Sequence, residues 1–482
     1  MFDLRPVGYV IGLLLVALGA TMFIPWAVDS IWQTGGAGAF AASGMITILF
    51  GGSMALASAN SRSPGLNLQQ VFLLTVMSWV ALPVFAGLPF WLGAPHASYT
   101  DAFFEAVSGM TTTGSTVFSN LGDLPMGTLL WRGMMQWFGG VGIIVVAMAF
   151  LPTLKVGGMQ LFRSEGFDTL GKVLPRAGEI AGSISIVYLA LTVTCLLAYS
   201  LVGMPFFDAL VLSMTTIATG GFANTDASFA AFSGAPEYVS SLFMLLASLP
   251  FIRYVQMMRG ASQPLFQDSQ VRAFLVTAAV LILVITFYRM FASGVHGEES
   301  FRESLFNVTS ILSGTGYASV DYQLWGPFPV VLFFMIGLVG GCAGSTCCSI
   351  KIFRFQLLFI SIKQQVKRIH SPHGVFGARY AGRPVGEDVI SSVMAFFVMF
   401  FVSLGLISVA LSLLGLDFVT AVSGAATALA NIGPGLGPEI GPSGNFGGLS
   451  DAAKWVLSLA MLLGRLELVA VLILFTPGFW RG

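Results

Sequence analysis

The chain has 482 residues, of which 56% are hydrophobic and only 9% are charged. Soluble domains carry roughly a quarter charged residues, so this surface is not built to face water, and lipid is its expected solvent. The 22 basic residues balance the 22 acidic ones, which leaves no basic footprint for nucleic acid, and no nucleic-acid partner is expected.

The four cysteines, Cys195, Cys342, Cys347 and Cys348, make neither a zinc pattern nor a disulfide framework and read as small buried hydrophobes. His96, His296, His370 and His373 form no metal site, and no catalytic constellation is visible. No enzyme activity and no bound cofactor are expected.

Apolar stretches of about 20 residues mark membrane spans. In chain order they lie near 8–32, 39–58, 68–92, 128–150, 181–202, 237–257, 272–293, 327–350, 388–415 and 453–475. The first is too long for a cleavable signal and reads as a retained span. Ten spans put both termini on one side. Seventeen of the 22 basic residues fall on segments of that side, including Arg62, Lys155, Arg163, Lys172 and Arg176, and the positive-inside rule makes it the cytoplasm of a cell inner membrane. Arg132, Arg289, Arg302, Lys454 and Arg465 lie in spans or on outer segments.

Four outer connections share one pattern: Asp101 to Ser115 (DAFFEAVSGMTTTGS), Asp208 to Phe222 (DALVLSMTTIATGGF), Glu303 to Tyr317 (ESLFNVTSILSGTGY) and Thr420 to Pro434 (TAVSGAATALANIGP). Aligned on Gly114, Gly221, Gly316 and Gly433, they place a hydroxyl six residues earlier in every case: Ser108, Thr215, Ser310 and Thr427. Asp101, Asp208, Glu303 and Thr420 begin the segments and read as helix N-caps or dipole partners. The apolar stretch between is too short to span and suits a re-entrant half-helix followed by extended backbone, which membranes tolerate where it lines an aqueous path. Four such loops around one axis would present carbonyl rings able to replace the hydration shell of a potassium-sized cation, with the glycines supplying the dihedrals. The competing reading is that such glycines are helix-packing devices. The run GPGLGPEIG (Gly433–Gly441) lacks the strand and soluble helix of a nucleotide site.

The expected fold is therefore an all-α polytopic membrane protein. An N-terminal two-helix extension (1–60) precedes four covalently linked helix–pore-loop–helix repeats at 61–155, 156–260, 261–370 and 371–482.

The segments TTTGS, ATGGF, GTGYA and NIGPGLG, together with WRGMMQWFGGVGI (131–143), GGCAGST (340–346) and MLLGRLE (461–467), resemble those of the Trk/Ktr/HKT potassium transporter superfamily, in its TrkH-type branch. The resemblance covers essentially the whole chain. It implies a potassium filter formed by Thr112, Thr113 and Gly114; Thr219, Gly220 and Gly221; Gly314, Thr315 and Gly316; and Asn431, Ile432 and Gly433, with potassium ions in the pore. It also implies an arginine barrier at Arg465. Here the competing reading is an ion pair with Glu467 or another carboxylate, because a charge at mid-membrane otherwise costs at least ~2.5–3.5 kcal/mol. Arg132, near an outer span end, reads as a brace for a pore loop.

The stretch Gly337–Ile350 (GLVGGCAGSTCCSI) has its helical pattern broken by Gly, Ser and Thr. The resemblance makes it an intramembrane gate, with Gly340, Gly341, Gly344, Ser345 and Thr346 in the loop; the family continues GGG where this chain has Cys347, Cys348 and Ser349. A glycine-rich packing face is the alternative. Basic residues at 351–387 suit contact with anionic lipid. The resemblance adds a TrkA-like cytoplasmic nucleotide-binding ring subunit and a homodimer. The leading function is passive potassium uptake. A symporter coupled to sodium or protons is the rival within transport, and a polytopic membrane enzyme is the rival outside it.

Overall fold

A computed structural model describes residues 3–60, 66–149, 177–261, 263–292, 294–295, 297–374 and 376–481. Arg62 and the basic residues Lys155, Arg163, Lys172 and Arg176 lie outside the described residues. The chain is mainly helical, and its strands are two short two-residue pairs. Six described helices are long and apolar enough to cross a membrane: Arg5–Trp32, Ala37–Ser58, Gln69–Leu92, Ala181–Leu201, Ser269–Ala292 and Glu387–Leu413. The count rises to seven if a bent pair is one span.

The first two spans pack along each other through small residues. Gly12 faces the Gly51 carbonyl and Gly19 that of Gly44, so here the packing use of glycine does hold. The extension is tied to the rest by Asp29. Its Oδ1 accepts from the Gly127 amide at 2.6 Å and thus caps Met126–Ala149, a helix outside the extension.

The four re-entrant segments are short helices: Tyr99–Met110, Phe206–Ile217, Glu298–Leu312 and Phe418–Ala430. Each stands between other helices and ends with no more than one residue between it and its triplet, 112–114, 219–221, 314–316 or 431–433. Their N-caps are Ser98, Pro205, Gly297 and Asp417, not the residues expected. Asp101, Asp208, Glu303 and Thr420 sit inside the helices instead. Three of them bind neighbours: Lys454 Nζ meets Asp101 at 2.6 Å, Arg289 meets Glu303 at 2.7 Å, and Asn224 donates to Asp208 at 2.8 Å.

Three expected spans are not continuous helices. The stretch 237–257 forms Ala235–Ala247 and Phe251–Met258, bent by 89°. Pro250 at the break lacks the amide a continuing helix needs. The stretch 327–350 is helical only over Pro327–Gly337, and 453–475 only over Asp451–Arg465 before further short turns.

Candidate ion pathway

Each short helix closes with the same backbone geometry. The first residue of every triplet is left-handed or has positive φ: Thr112 at 53°, Thr219 at 50°, Gly314 at 76° and Asn431 at 52°. Its amide donates three residues back, to Gly109, Thr216, Ile311 and Ala428. The amide of the second residue donates five residues back, from Thr113 to Ser108, Gly220 to Thr215, Thr315 to Ser310 and Ile432 to Thr427, at 2.8–2.9 Å. The matched hydroxyl residues thus contribute their carbonyls in common. Their side chains do different things: Ser310 Oγ donates to Tyr317 O, and Thr427 Oγ1 to Gly424 O. The third residue has φ of 88°, 80° and 83° at Gly114, Gly221 and Gly316, a region costly for other residues. Gly433 breaks the pattern, having no positive φ.

The four triplets meet in chain order around one axis. A methyl group at Gly114 would strike the Gly220 carbonyl, and one at Gly221 that of Thr315. One at Gly316 would lie 2.6 Å from the Gly433 amide nitrogen, and one at Gly433 3.2 Å from the Gly114 carbonyl group, which closes the ring. Side chains lock adjacent loops. Asn431 Nδ2 donates to Thr113 Oγ1 at 3.0 Å, Ser115 Oγ to Gly433 O at 2.8 Å, and Tyr317 OH meets Thr215 Oγ1 at 2.5 Å.

Arg132 braces the first two loops, as its position suggested. Buried against Glu105 at 2.8 Å, it donates to the Ala223 carbonyl at 2.8 Å and to Thr116 Oγ1 at 3.1 Å. Gln136, one helical turn on, was not singled out from sequence. Its Nε2 donates to Gly220 O at 2.6 Å, and its Oε1 accepts from the Phe222 amide at 3.1 Å. The Gly220 oxygen is therefore engaged by a side chain, unlike a carbonyl standing free. The only sequence signal was a glutamine within an apolar helix.

At the helix C-terminal end of the ring lies the segment 338–351. Val339–Gly340 pairs in parallel with Ile350–Lys351, and the intervening chain forms a buried loop. This loop fills the bend of the preceding broken span. The Cys342 amide donates to Ser248 O at 3.0 Å, Phe251 N to Gly344 O at 3.0 Å, and Thr346 Oγ1 to Ala247 O at 3.0 Å. Ile352 N reaches Gly341 O at 3.1 Å, and Ser345 Oγ closes the turn on Cys342 O at 2.7 Å. Backbone freed by the bend is thus satisfied by backbone freed by the loop, as burial demands.

Cys348 stands directly under the ring. Its Sγ lies 3.9 Å from Thr112 Oγ1, and its amide nitrogen is 3.6 Å from where a Gly314 side chain would begin. Arg465 Nη1 donates to that same sulfur and Nη2 to Gly139 O at 2.9 Å. Its guanidinium carbon is 5.5 Å from the Trp79 ring. The expected pairing of Arg465 with Glu467 does not form: Glu467 pairs with Arg354, and among the described residues no carboxylate pairs with Arg465. A buried cation with no anion partner among the described residues therefore sits one side chain away from Thr112.

A family model described as a cation transport protein, TrkH, matches residues 37–480. The chain is 49% identical over 414 residues to the Trk system potassium uptake protein TrkI of Halomonas elongata, covering 86% of this chain and 84% of that one. It is 37% identical over 485 residues to TrkH of the same organism, covering 99% and 100%. The crystal structure of the potassium transporter TrkH from Vibrio parahaemolyticus matches 100% of both chains, with a TM-score of 0.91 at 32% identity. The chain belongs to the TrkH family of cation transport proteins, as a multi-pass membrane transporter and not an enzyme.

Proposed function

We propose that the protein takes up potassium across a cell inner membrane through a filter made by the four triplets, with both termini in the cytoplasm. The observation that carries this reading is the cyclic closure of four loops sharing one backbone geometry. Such a ring offers polar backbone at membrane depth to a dehydrating cation. Cys348 and the loop 341–349 act as the gate beneath it, and Arg465 as an electrostatic barrier. A TrkA-like cytoplasmic nucleotide-binding ring, engaging the basic helix Ile352–His370 of a homodimer, shifts an open–closed equilibrium that already exists.

The test is ion flux in proteoliposomes with defined gradients. A potassium gradient alone is expected to drive uptake, whereas an absolute requirement for a sodium or proton gradient would establish the coupled symporter instead. In the same assay Gly316→Ser is expected to lower potassium selectivity over sodium several-fold, because serine resists a φ of 83°. Unchanged selectivity in protein that still inserts would remove Gly316 from the filter.

A further inference from the structure

Between Arg5–Thr21, Leu68–Ala86 and Met126–Ala149 lies a cavity of about 540 Å³ that has no part in the ion pathway. This is within the range of small-molecule sites. Its walls are mainly apolar, with Leu18, Leu74, Leu82 and Phe138 among them. Four hydroxyls also line it, but each already donates to its own helix: Thr21 to Leu18 O, Thr75 to Val71 O, Ser78 to Leu74 O and Ser185 to Ala181 O, at 2.7–2.9 Å. Water needs two to four polar partners and finds few here. At its edge stand Leu14 and Ser185, both exposed, on helices long and apolar enough to cross a membrane. Helices of that length and composition put hydrocarbon beside such an edge once the protein is in a bilayer.

The opposite wall gives the cavity its consequence. It is built from Trp79, Met110 and Gly139. Met110 ends the first short helix just before the filter. Trp79 and Gly139 are the ring and the carbonyl that hold the Arg465 guanidinium.

We propose that this cavity binds one acyl chain of a membrane lipid, seated against the Trp79–Gly139 wall behind Arg465. A free fatty acid shares that chemistry, and the lipid is the source favoured by the bilayer at the cavity edge. Gly142 provides the means to test it. A side chain there would enter the cavity, and its first carbon would meet nothing nearer than Trp79 at 3.9 Å. The protein would be reconstituted in phosphatidylcholine with brominated acyl chains, which quench nearby indoles. The Trp79 contribution is the difference between the wild-type chain and Trp79→Phe. It is expected to be quenched in the wild-type background and to lose at least half of that quenching when Gly142→Phe fills the space. Ala17→Phe, filling it from another wall, is expected to do the same. Retained rubidium uptake shows that the filled protein is folded; if Gly142→Phe loses uptake, Ala17→Phe decides. Equal quenching in filled and unfilled proteins, or no Trp79 contribution, would overturn the site. Quenching by added brominated fatty acid but not by brominated phospholipid would overturn the lipid as its source. The readout is optical, so it stands apart from the role assigned to Arg465.

Discussion

Arg465 carries the sharpest residue-level expectation. Repulsion between unit charges ~4 Å apart is ~4 kcal/mol at an effective dielectric of ~20, and each ~1.4 kcal/mol is tenfold in rate. With no carboxylate paired to it among the described residues, its charge is not cancelled locally. Screening leaves only part of that repulsion, and Arg465→Ala is expected to raise basal cation flux by about tenfold or more, read as rubidium uptake. A fall in flux together with poorly folded protein would assign the residue to structure. Gln136 is the second test. Gln136→Leu leaves the Gly220 oxygen and the Phe222 amide without that partner, at about 1–3 kcal/mol for each buried group. The variant is expected to melt at lower temperature and to discriminate potassium from sodium less well. Unaltered discrimination would confine Gln136 to packing. The common spacing aligned the four segments, which is a local signal, and the family resemblance assigned the triplets within them. The sequence did not show Gln136 reaching the second loop, because that contact joins residues far apart in the chain. Nor did it show that Glu467 turns to Arg354, leaving Arg465 to a carbonyl and a sulfur.

Among the elements, the short helices were legible because hydropathy and a length of about ten residues define them without tertiary information. Their starts were misplaced because Ser98, Pro205, Gly297 and Asp417 share no residue type, whereas Asp101, Asp208 and Glu303 within the helices do stand out. The bend at Ser248–Pro250 was missed because apolar residues continue on both sides. Composition reports burial in lipid, not the direction of the axis. That bend and the loop 341–349 form one hydrogen-bonded unit, so the loop cannot move without exposing buried backbone of the neighbouring repeat. Gly344, at φ of 75°, makes the turn. Gly344→Ala is expected to strain it by ~1–2 kcal/mol. If this loop is the gate, basal flux rises several-fold and depends less on the cytoplasmic partner. A variant that is destabilised but keeps normal partner dependence would leave the loop as a static plug.

At the scale of the molecule, the N-terminal extension is more than an added pair of helices, since Asp29 caps the helix Met126–Ala149. Asp29→Ala is expected to cost ~1–2 kcal/mol, seen as a lower melting temperature in detergent, with ion selectivity unchanged. Altered selectivity would mean that the extension shapes the filter itself.

The ring of triplets is a single covalent chain, and its fourth member already departs in dihedral angle and in sequence. In a channel assembled from four copies of one product, a codon change rewrites every wall of the filter at once, and most such changes abolish it. Here a codon change rewrites one wall in four. If this ring is the filter, ion preference can therefore shift in small steps, with three loops holding the geometry while the fourth varies.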